Sequence, residues 1–339
     1  MTLTLLWLQL GGAALFILFA SNYLAKSADV IAIKTGLGRS FIGVVLLATA
    51  TSLPELGLGV TSIVAFDAPD LAAGDAFGSN IFNLLIIGLL DLYWRNGPIL
   101  NRVSITSAAV GALGVLIISI AVLGLFVHDA TTALSNLPIS PFTVVMFVAF
   151  LGAMYMIYIM EKRRDSSSDE ADAGTPDYSD SSLTKTFALF GGAAIIVVAA
   201  AMWLAQIGDS LTELMGWDAS FVGTQFLAFS TSLPELAASF AAIRINAPEL
   251  AISGVLGSNL FNMGFILFID DVALVGQPLW EAVSSVHTMT AMFAVLMTAV
   301  VMIGLITRGR NRPRSFVTFE AAILIGLYIL SSVLVFRLA

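Results

Sequence analysis

The hexapeptide Thr-Ser-Leu-Pro-Glu-Leu occurs twice in this chain, at 51–56 and at 231–236, each time inside a long apolar run. Each copy joins a helix-breaking proline to an ionisable glutamate, Pro54 to Glu55 and Pro234 to Glu235. A proline inside a helix removes one donor and clashes with the carbonyl four residues back, here that of Ala50 or Ser230. In lipid a freed carbonyl must find a partner in protein, water or a cation. An intramembrane carboxylate is expensive enough to be functional by default. A second pair of blocks, Gly-Ser-Asn-Ile-Phe-Asn from Gly78 and Gly-Ser-Asn-Leu-Phe-Asn from Gly257, supplies the complement. Ser79 with Asn83, and Ser258 with Asn262, are i and i+4 neighbours on one helical face. With the hydroxyls of Thr51, Ser52, Thr231 and Ser232, the set is two carboxylates, two amides, several hydroxyls and loosened carbonyls. Such an all-oxygen cage suits Ca2+, which takes six to eight oxygens in flexible geometry, better than Mg2+, which prefers to keep its water.

The charges follow the same logic. Two ionised glutamates balance one divalent ion, whereas the empty site holds two carboxylates that repel by about 3 kcal/mol at ~6 Å and an effective dielectric of ~20. An empty carrier therefore resists closing around its site, and needs Na+ or H+ in place of Ca2+ to return. That obligation is the physical content of antiport.

These residues need elements that hold them at depth, and the composition provides for that. The 339-residue chain is 58% hydrophobic and 11% charged, with a mean hydropathy of +0.95, too apolar for a soluble domain with a charged surface. It has no cysteine, which excludes disulfides and thiolate metal sites. A spanning helix needs about 20 mainly apolar residues, and ten stretches qualify: 8–25, 41–65, 71–93, 104–127, 142–160, 187–207, 221–243, 250–272, 286–306 and 316–336. The expected fold class is all-α, a polytopic membrane protein. At 1.5 Å per residue Glu55 and Glu235 lie about 21 Å from the first residues of their spans, near the bilayer centre. Cytoplasmic loops collect Lys and Arg, and of the 15 basic residues all but Arg337 fall in odd-to-even loops. This places both termini outside the cell membrane and the acidic 161–185 segment, poor in apolar residues, in the cytoplasm as a linker. The N-terminal run has no basic region before it and is read as the first span rather than a signal peptide.

The chain also repeats itself. A shift of 180 residues aligns Asp29 with Asp209, Ser40 with Ser220 and Thr51 with Thr231; after one deleted residue, a shift of 179 aligns Asp67 with Asn246 and Gly78 with Gly257. Five spans per repeat is an odd number, so the second repeat (186–339) must cross the membrane in the opposite sense to the first (1–160), with the two motif regions at 40–83 and 220–262. Inverted repeats with interrupted helices at the midplane are a plan of secondary transporters.

The paired blocks resemble the two alpha-repeats of the Ca2+/cation antiporter superfamily, in particular its prokaryotic Na+/Ca2+ exchanger branch. The resemblance covers both halves. It implies that Glu55 and Glu235 are the central ligands, that Thr51, Ser52, Thr231, Ser232, Ser79, Asn83, Ser258 and Asn262 complete the shell, and that the backbone carbonyls of Ala48 and Ala228 serve Na+. It also implies that spans one and six slide or rock against a central core. Four positions depart from the family pattern. Ala50 and Ser230 stand where glycine is common; Asn262 stands where some prokaryotic exchangers have Asp; and Asp75 stands where Asn is common, opposite Gly254 in the second repeat. Asp75 could line the external ion path or hydrogen-bond another helix.

The expected function is secondary active exchange of Ca2+ against Na+ by alternating access, not enzymatic, without a cofactor, with no nucleic-acid partner, and by a monomer in the lipid bilayer. H+/Ca2+ exchange is the nearest alternative, although the proton-coupled branch replaces T-S-x-P-E with a G-N-A-x-E type of motif. A passive cation channel would use the same acids without a counter-ion. An intramembrane hydrolase lacks a base beside Ser52 or Ser232 other than the glutamates. Asp29 and Asp209 read as structural, and His128 and His287 as solvated or interfacial.

Overall fold

The computed structural model describes residues 3–94, 97–167, 178–215, 227–307 and 318–338. Helices supply all the regular secondary structure of these residues. Helix α1 (Leu3–Thr35) is followed by a broken pair, α2 (Arg39–Thr51) and α3 (Leu53–Phe66), and then by α4 (Pro69–Tyr93), α5 (Ile105–Ala130) and α6 (Pro141–Ser167). The second half holds α7 (Leu183–Met215), the short α8 (Ala228–Thr231), α9 (Leu233–Arg244), α10 (Pro248–Ala273), α11 (Val286–Ile306) and α12 (Phe319–Leu338). Among the described residues, eight helices are long and apolar enough to cross a membrane, and the pair α2 and α3 makes a ninth if counted as one span. The expected span 221–243 begins outside the described residues.

The helix ends follow from local chemistry. Pro54 and Pro234 lie in the first turn of α3 and α9, where a missing N–H costs nothing because that donor has no intrahelical partner. The residue at each break leaves the helix in the same way: Ser52 at φ −91°, ψ 6° and Ser232 at φ −86°, ψ 4°. The chain bends by 43° between α2 and α3. Asp67 and Asn246, aligned by the repeat, both turn the chain in the left-handed region at φ 50° and 59°, which Asp and Asn tolerate better than other non-glycine residues. Pro69 and Pro248 then open α4 and α10.

Several helices outrun the expected spans. α1 has 33 residues, about 50 Å at 1.5 Å per residue, against a hydrocarbon core of about 30 Å. α6 runs on to Ser167, past the expected end at 160, and α7 starts at Leu183 rather than 187. Part of the expected linker, 161–185, is thus helical, at 161–167 and 183–185. Hydropathy reports where a chain leaves the apolar slab, but Glu161, Lys162 and Arg163 are good helix formers and continue the helix beyond it.

The two Gly-Ser-Asn helices form the centre of the molecule. The most apolar stretch of α4 is 72% buried and that of α10 83% buried, whereas no other long helix exceeds 50%. α10 packs against α2, α4, α5 and α9. Its close approach to α2 needs Gly257, where a Cβ would come within 2.6 Å of the Val44 Cα. Peripherally, α1 lies along α7 and against α9. Leu6, Ala13 and Ile17 of α1 meet Ala200, Ala201, Leu204 and Ile207 of α7 and Leu233 and Ala237 of α9 in an apolar cluster separate from the main core.

Both histidines are buried rather than solvated. His128 is 5% exposed and lies between Glu281 (3.1 Å) and Ser140 (3.0 Å). His287, also buried, pairs with Asp70 at 2.9 Å and stacks on Phe77. Each ring spans a polar edge and an apolar face, and burial of the ring is compatible with a satisfied nitrogen. Asp29 has a structural place as expected: it is fully buried, accepting from Arg39 Nε at 2.6 Å and from the Tyr178 hydroxyl at 3.0 Å. The Asp209 side chain lies outside the described set.

Candidate functional site

The breaks after Thr51 and Thr231 place the two glutamates in the first turn of α3 and α9. Both are almost wholly buried, Glu55 at 1% and Glu235 at 2% exposure. Their hydrogen bonds cross between the halves of the chain. The Ser52 hydroxyl donates to Glu235 Oε1 at 2.9 Å, and the Ser232 hydroxyl donates to Glu55 Oε1 at 3.1 Å. Each break therefore holds the other half's carboxylate. Ser258 on α10 adds a second donor to Glu235 Oε1 at 3.3 Å.

The threonines sit differently from the serines. Thr51 Oγ1 donates back to the carbonyls of Leu47 (3.0 Å) and Ala48 (3.2 Å), and Thr231 Oγ1 does the same towards Leu227 (3.0 Å) and Ala228 (3.3 Å). The Ala48 and Ala228 carbonyls also accept the Ser52 and Ser232 N–H groups, at 2.9 and 3.1 Å. These two carbonyls thus lie at the breaks, beside the glutamates, with protein donors already on them. Thr231 further reaches Asp75 Oδ1 at 3.0 Å. Asp75 is fully buried, and of the two roles open in the sequence the structure shows the helix-bridging hydrogen bond. Gly254, its counterpart, instead makes room for Leu47, whose Cδ2 would lie 3.2 Å from an added Cβ.

Asn83 and Asn262 are held by two residues that the sequence reading did not single out. Asn83 Nδ2 donates to Asn259 Oδ1 at 3.0 Å, Asn259 Nδ2 donates to the Asn80 carbonyl at 3.1 Å, and Asn262 Nδ2 donates to Asn80 Oδ1 at 3.4 Å. Asn80 and Asn259 are the asparagines of the two Gly-Ser-Asn blocks, so the signal was their matched place in the repeat. With the amide donors of Asn83 and Asn262 engaged in this lattice, their oxygens are left as acceptors.

Five buried oxygens from the expected set have no hydrogen-bond partner: Glu55 Oε2, Glu235 Oε2, Ser79 Oγ, Asn83 Oδ1 and Asn262 Oδ1. A buried polar atom without a partner costs about 1–3 kcal/mol, and burial of this kind is rare. Five together, all capable of accepting, with two of them from carboxylates, are the electrostatic complement of a cation. Among the described residues there is no group of three or more His, Cys, Asp or Glu side chains fit for a metal. The remaining oxygens of this cage come from neutral amides and hydroxyls, so its charge stays near that of two carboxylates.

Comparison with known proteins gives this geometry a lineage. The chain is 25% identical over 272 residues to the inner membrane protein YrbG of Escherichia coli, covering 78% of each chain. It is 26% identical over 303 residues to the sodium/calcium exchanger MaX1 of Methanosarcina acetivorans, covering 78% of this chain and 82% of that protein. Among solved structures, the sodium-calcium exchanger NCX_Mj soaked with 2.5 mM Na+ and 10 mM Sr2+ superposes with a TM-score of 0.72 at 19% identity, covering 97% of this chain and 98% of that one. That likeness establishes a shared fold. The profile of the family described as sodium/calcium exchanger protein matches residues 5–163 and 185–337, and with nearly the whole sequence accounted for in two matching blocks, the chain belongs to that family.

Proposed function

We propose that this protein is a secondary antiporter that exchanges Ca2+ against Na+ by alternating access. The observation that carries the reading is the pair of crossed carboxylates, Ser52 to Glu235 and Ser232 to Glu55, surrounded by five unpartnered buried oxygens. Glu55 and Glu235 would hold Ca2+ with Ser79, Ser258, Asn83 and Asn262. Thr51, Thr231, Ser52 and Ser232, with the Ala48 and Ala228 carbonyls, would serve Na+. Because each half supplies a carboxylate bound by the other half's serine, the site is assembled only when the two halves meet, as in transporters built on inverted repeats.

In this reading 1–160 and 186–339 are inverted five-helix repeats joined by the cytoplasmic segment between them, both termini are extracellular, and a monomer in the cell membrane is the transporting unit. The moving part is the pair α1 and α7. Its support is that these two helices lie along each other at the periphery, in an apolar cluster that also takes in Leu233 and Ala237 of α9, the kind of packed surface along which helices shear. Loaded with one Ca2+, or with monovalent ions in its place, the site is close to neutral and the carrier can close. Empty, it carries repelling carboxylates and stays open. Coupling follows from that difference.

The test is radioactive Ca2+ uptake into proteoliposomes of purified protein with an internal Na+ load, an internal acid load, or neither. Uptake driven by Na+ alone supports the proposal. Uptake driven by acid alone replaces Na+ with H+ as the counter-ion, and equal uptake in all three makes the protein a passive channel.

A further inference from the structure

Asp270, near the end of α10, is fully buried, and neither of its carboxylate oxygens has a hydrogen-bond partner. Its neighbour Asp271 explains why this is unusual. Asp271 accepts the N–H groups of Leu279 at 2.6 Å and Ser140 at 2.9 Å. In the first half Asp91 does the equivalent work, accepting the Ile99 N–H at 2.8 Å and the Thr318 hydroxyl at 2.5 Å. In both cases an aspartate ties down the N–H eight residues further on. Asp91 aligns with Asp270 at the shift of 179 residues that matches the Gly-Ser-Asn blocks, yet the structural role has passed to Asp271. The π-helical turn Asn262–Ile266 accounts for this: it accommodates one extra residue and restores the shift to 180. Asp270 is therefore an additional acid without a capping duty.

It points at Gly59 on α3, where the missing side chain leaves room for it. A Cβ on Gly59 would lie 2.7 and 2.9 Å from the two Asp270 oxygens. Gly59 is four residues, one helical turn, beyond Glu55 and so on the same face. The elements packed against 267–273 are α3, α4, α6 and the π turn itself. From them the titratable groups that act on Asp270 are Asp75 on α4 and its own neighbour Asp271, both as like charges; Glu55 lies one turn further along α3. On the α6 side it meets apolar surroundings, with Phe147 stacked on Phe268 at 4.2 Å, and the Thr143 hydroxyl is held by Trp280 at 2.7 Å. A metal ion needs several oxygens at once, and this position offers too few. A proton needs one.

We propose that Asp270 is a proton-binding site, distinct from the cation cage and one helical turn outside it, through which external pH controls the exchange cycle. The inference rests on the antiport reading and its orientation. With a proton on one oxygen the side chain is a neutral acid that packs against Gly59 while the carrier occludes. When that O–H bond breaks and the proton leaves to external water, a negative charge stands against Gly59, close to Asp75 and one helical turn from Glu55. The carboxylate then favours the open, hydrated form and holds the cation in the cage.

The experiment is Ca2+ self-exchange in proteoliposomes, with radioactive Ca2+ outside and unlabelled Ca2+ inside, which needs neither a Na+ nor an H+ gradient. The external pH is varied over about four units around neutrality. The wild-type rate is expected to fall about ten-fold as pH rises. Asp270→Asn, a neutral mimic of the protonated acid, should keep transporting and flatten the profile to within about two-fold. Gly59→Ala, which crowds the carboxylate without removing it, should keep the pH dependence and move its midpoint, and this second variant decides the matter if D270N does not fold. A flat wild-type profile, a D270N profile that superposes on a sloping wild type, or an unmoved midpoint in G59A would overturn the assignment. A wild-type protein that moves no Ca2+ at any pH overturns the antiport reading itself, and this inference with it.

Discussion

Replacing Glu55 by Gln removes one of the two charges on which the proposed site depends while keeping the side chain's shape. In the structure Glu55 has two unlike oxygens, Oε1 accepting from Ser232 at 3.1 Å and Oε2 with no partner. The amide can keep the first contact through its carbonyl, which leaves its NH2 group where the second oxygen was, facing a cation with donors. A unit charge about 4 Å from a divalent ion, at an effective dielectric of ~20, contributes about 8 kcal/mol before the cost of removing the ion's water. If desolvation offsets half of that, about 4 kcal/mol remains, close to a thousand-fold in Ca2+ affinity at 1.4 kcal/mol per factor of ten. Titration calorimetry on purified protein reads the affinity, and uptake into proteoliposomes reads the flux. Folding should survive, because E55Q also relieves the carboxylate repulsion of about 3 kcal/mol in the empty site; the melting temperature without Ca2+ should stay level or rise. Ca2+ affinity within three-fold of wild type in a well-folded E55Q protein would refute the two-carboxylate site, and a marked fall in the Ca2+-free melting temperature would refute the repulsion argument.

Ser52→Ala and Ser232→Ala each remove one crossed hydrogen bond to a carboxylate, a contact of about 1.5–3 kcal/mol, and should weaken Ca2+ binding by calorimetry, Ser232→Ala about ten-fold or more and Ser52→Ala less, because Ser258 still donates to Glu235. Gly257→Ala forces a Cβ to within 2.6 Å of Val44 Cα and should destabilise the fold by about 1–3 kcal/mol as overpacking, visible as a lower melting temperature in detergent. Asp29→Asn leaves Arg39 without its carboxylate, and since the aspartate side chain is fully buried the loss should approach the 3–5 kcal/mol seen when one partner of a buried pair is removed; Tyr178→Phe, which removes one neutral donor, should cost far less in the same melt. Glu281, in the short helical turn Leu279–Ala282 between α10 and α11, is held below the usual carboxylate range by its hydrogen bonds to His128 and Ser135. A depressed folded pKa adds stability that is present above the ordinary glutamate value and lost as pH falls through the folded one. The gap in melting temperature between wild type and Glu281→Gln should therefore be widest near neutrality and close in acid.

Much of the site was legible in the sequence because its chemistry repeats. A proline-glutamate pair in a membrane-grade run is costly once and informative twice, and matched serines and asparagines at i and i+4 mark a helical face whatever the fold around them. The break itself was local: Pro54 and Pro234 dictate it, and Ser52 and Ser232 leave the helix with nearly the same angles. Helix ends were less legible, since hydropathy registers the bilayer edge and α1, α6 and α7 continue past it.

What only the tertiary structure decided is which group meets which. No spacing in the sequence states that Ser52 binds the carboxylate 183 residues away, or that Asn80 and Asn259 tie up the amide donors of Asn83 and Asn262 and so turn their oxygens into free acceptors. The buried histidines and the pairing of Asp75 with Thr231 belong to the same class, because a hydrogen bond between helices depends on rotation and depth, which periodicity leaves open. Asp270 shows the limit most clearly. In the linear repeat it aligns with Asp91, and only the π turn at Asn262–Ile266, a shift of one residue in helical phase, takes it out of that role and turns it against Gly59.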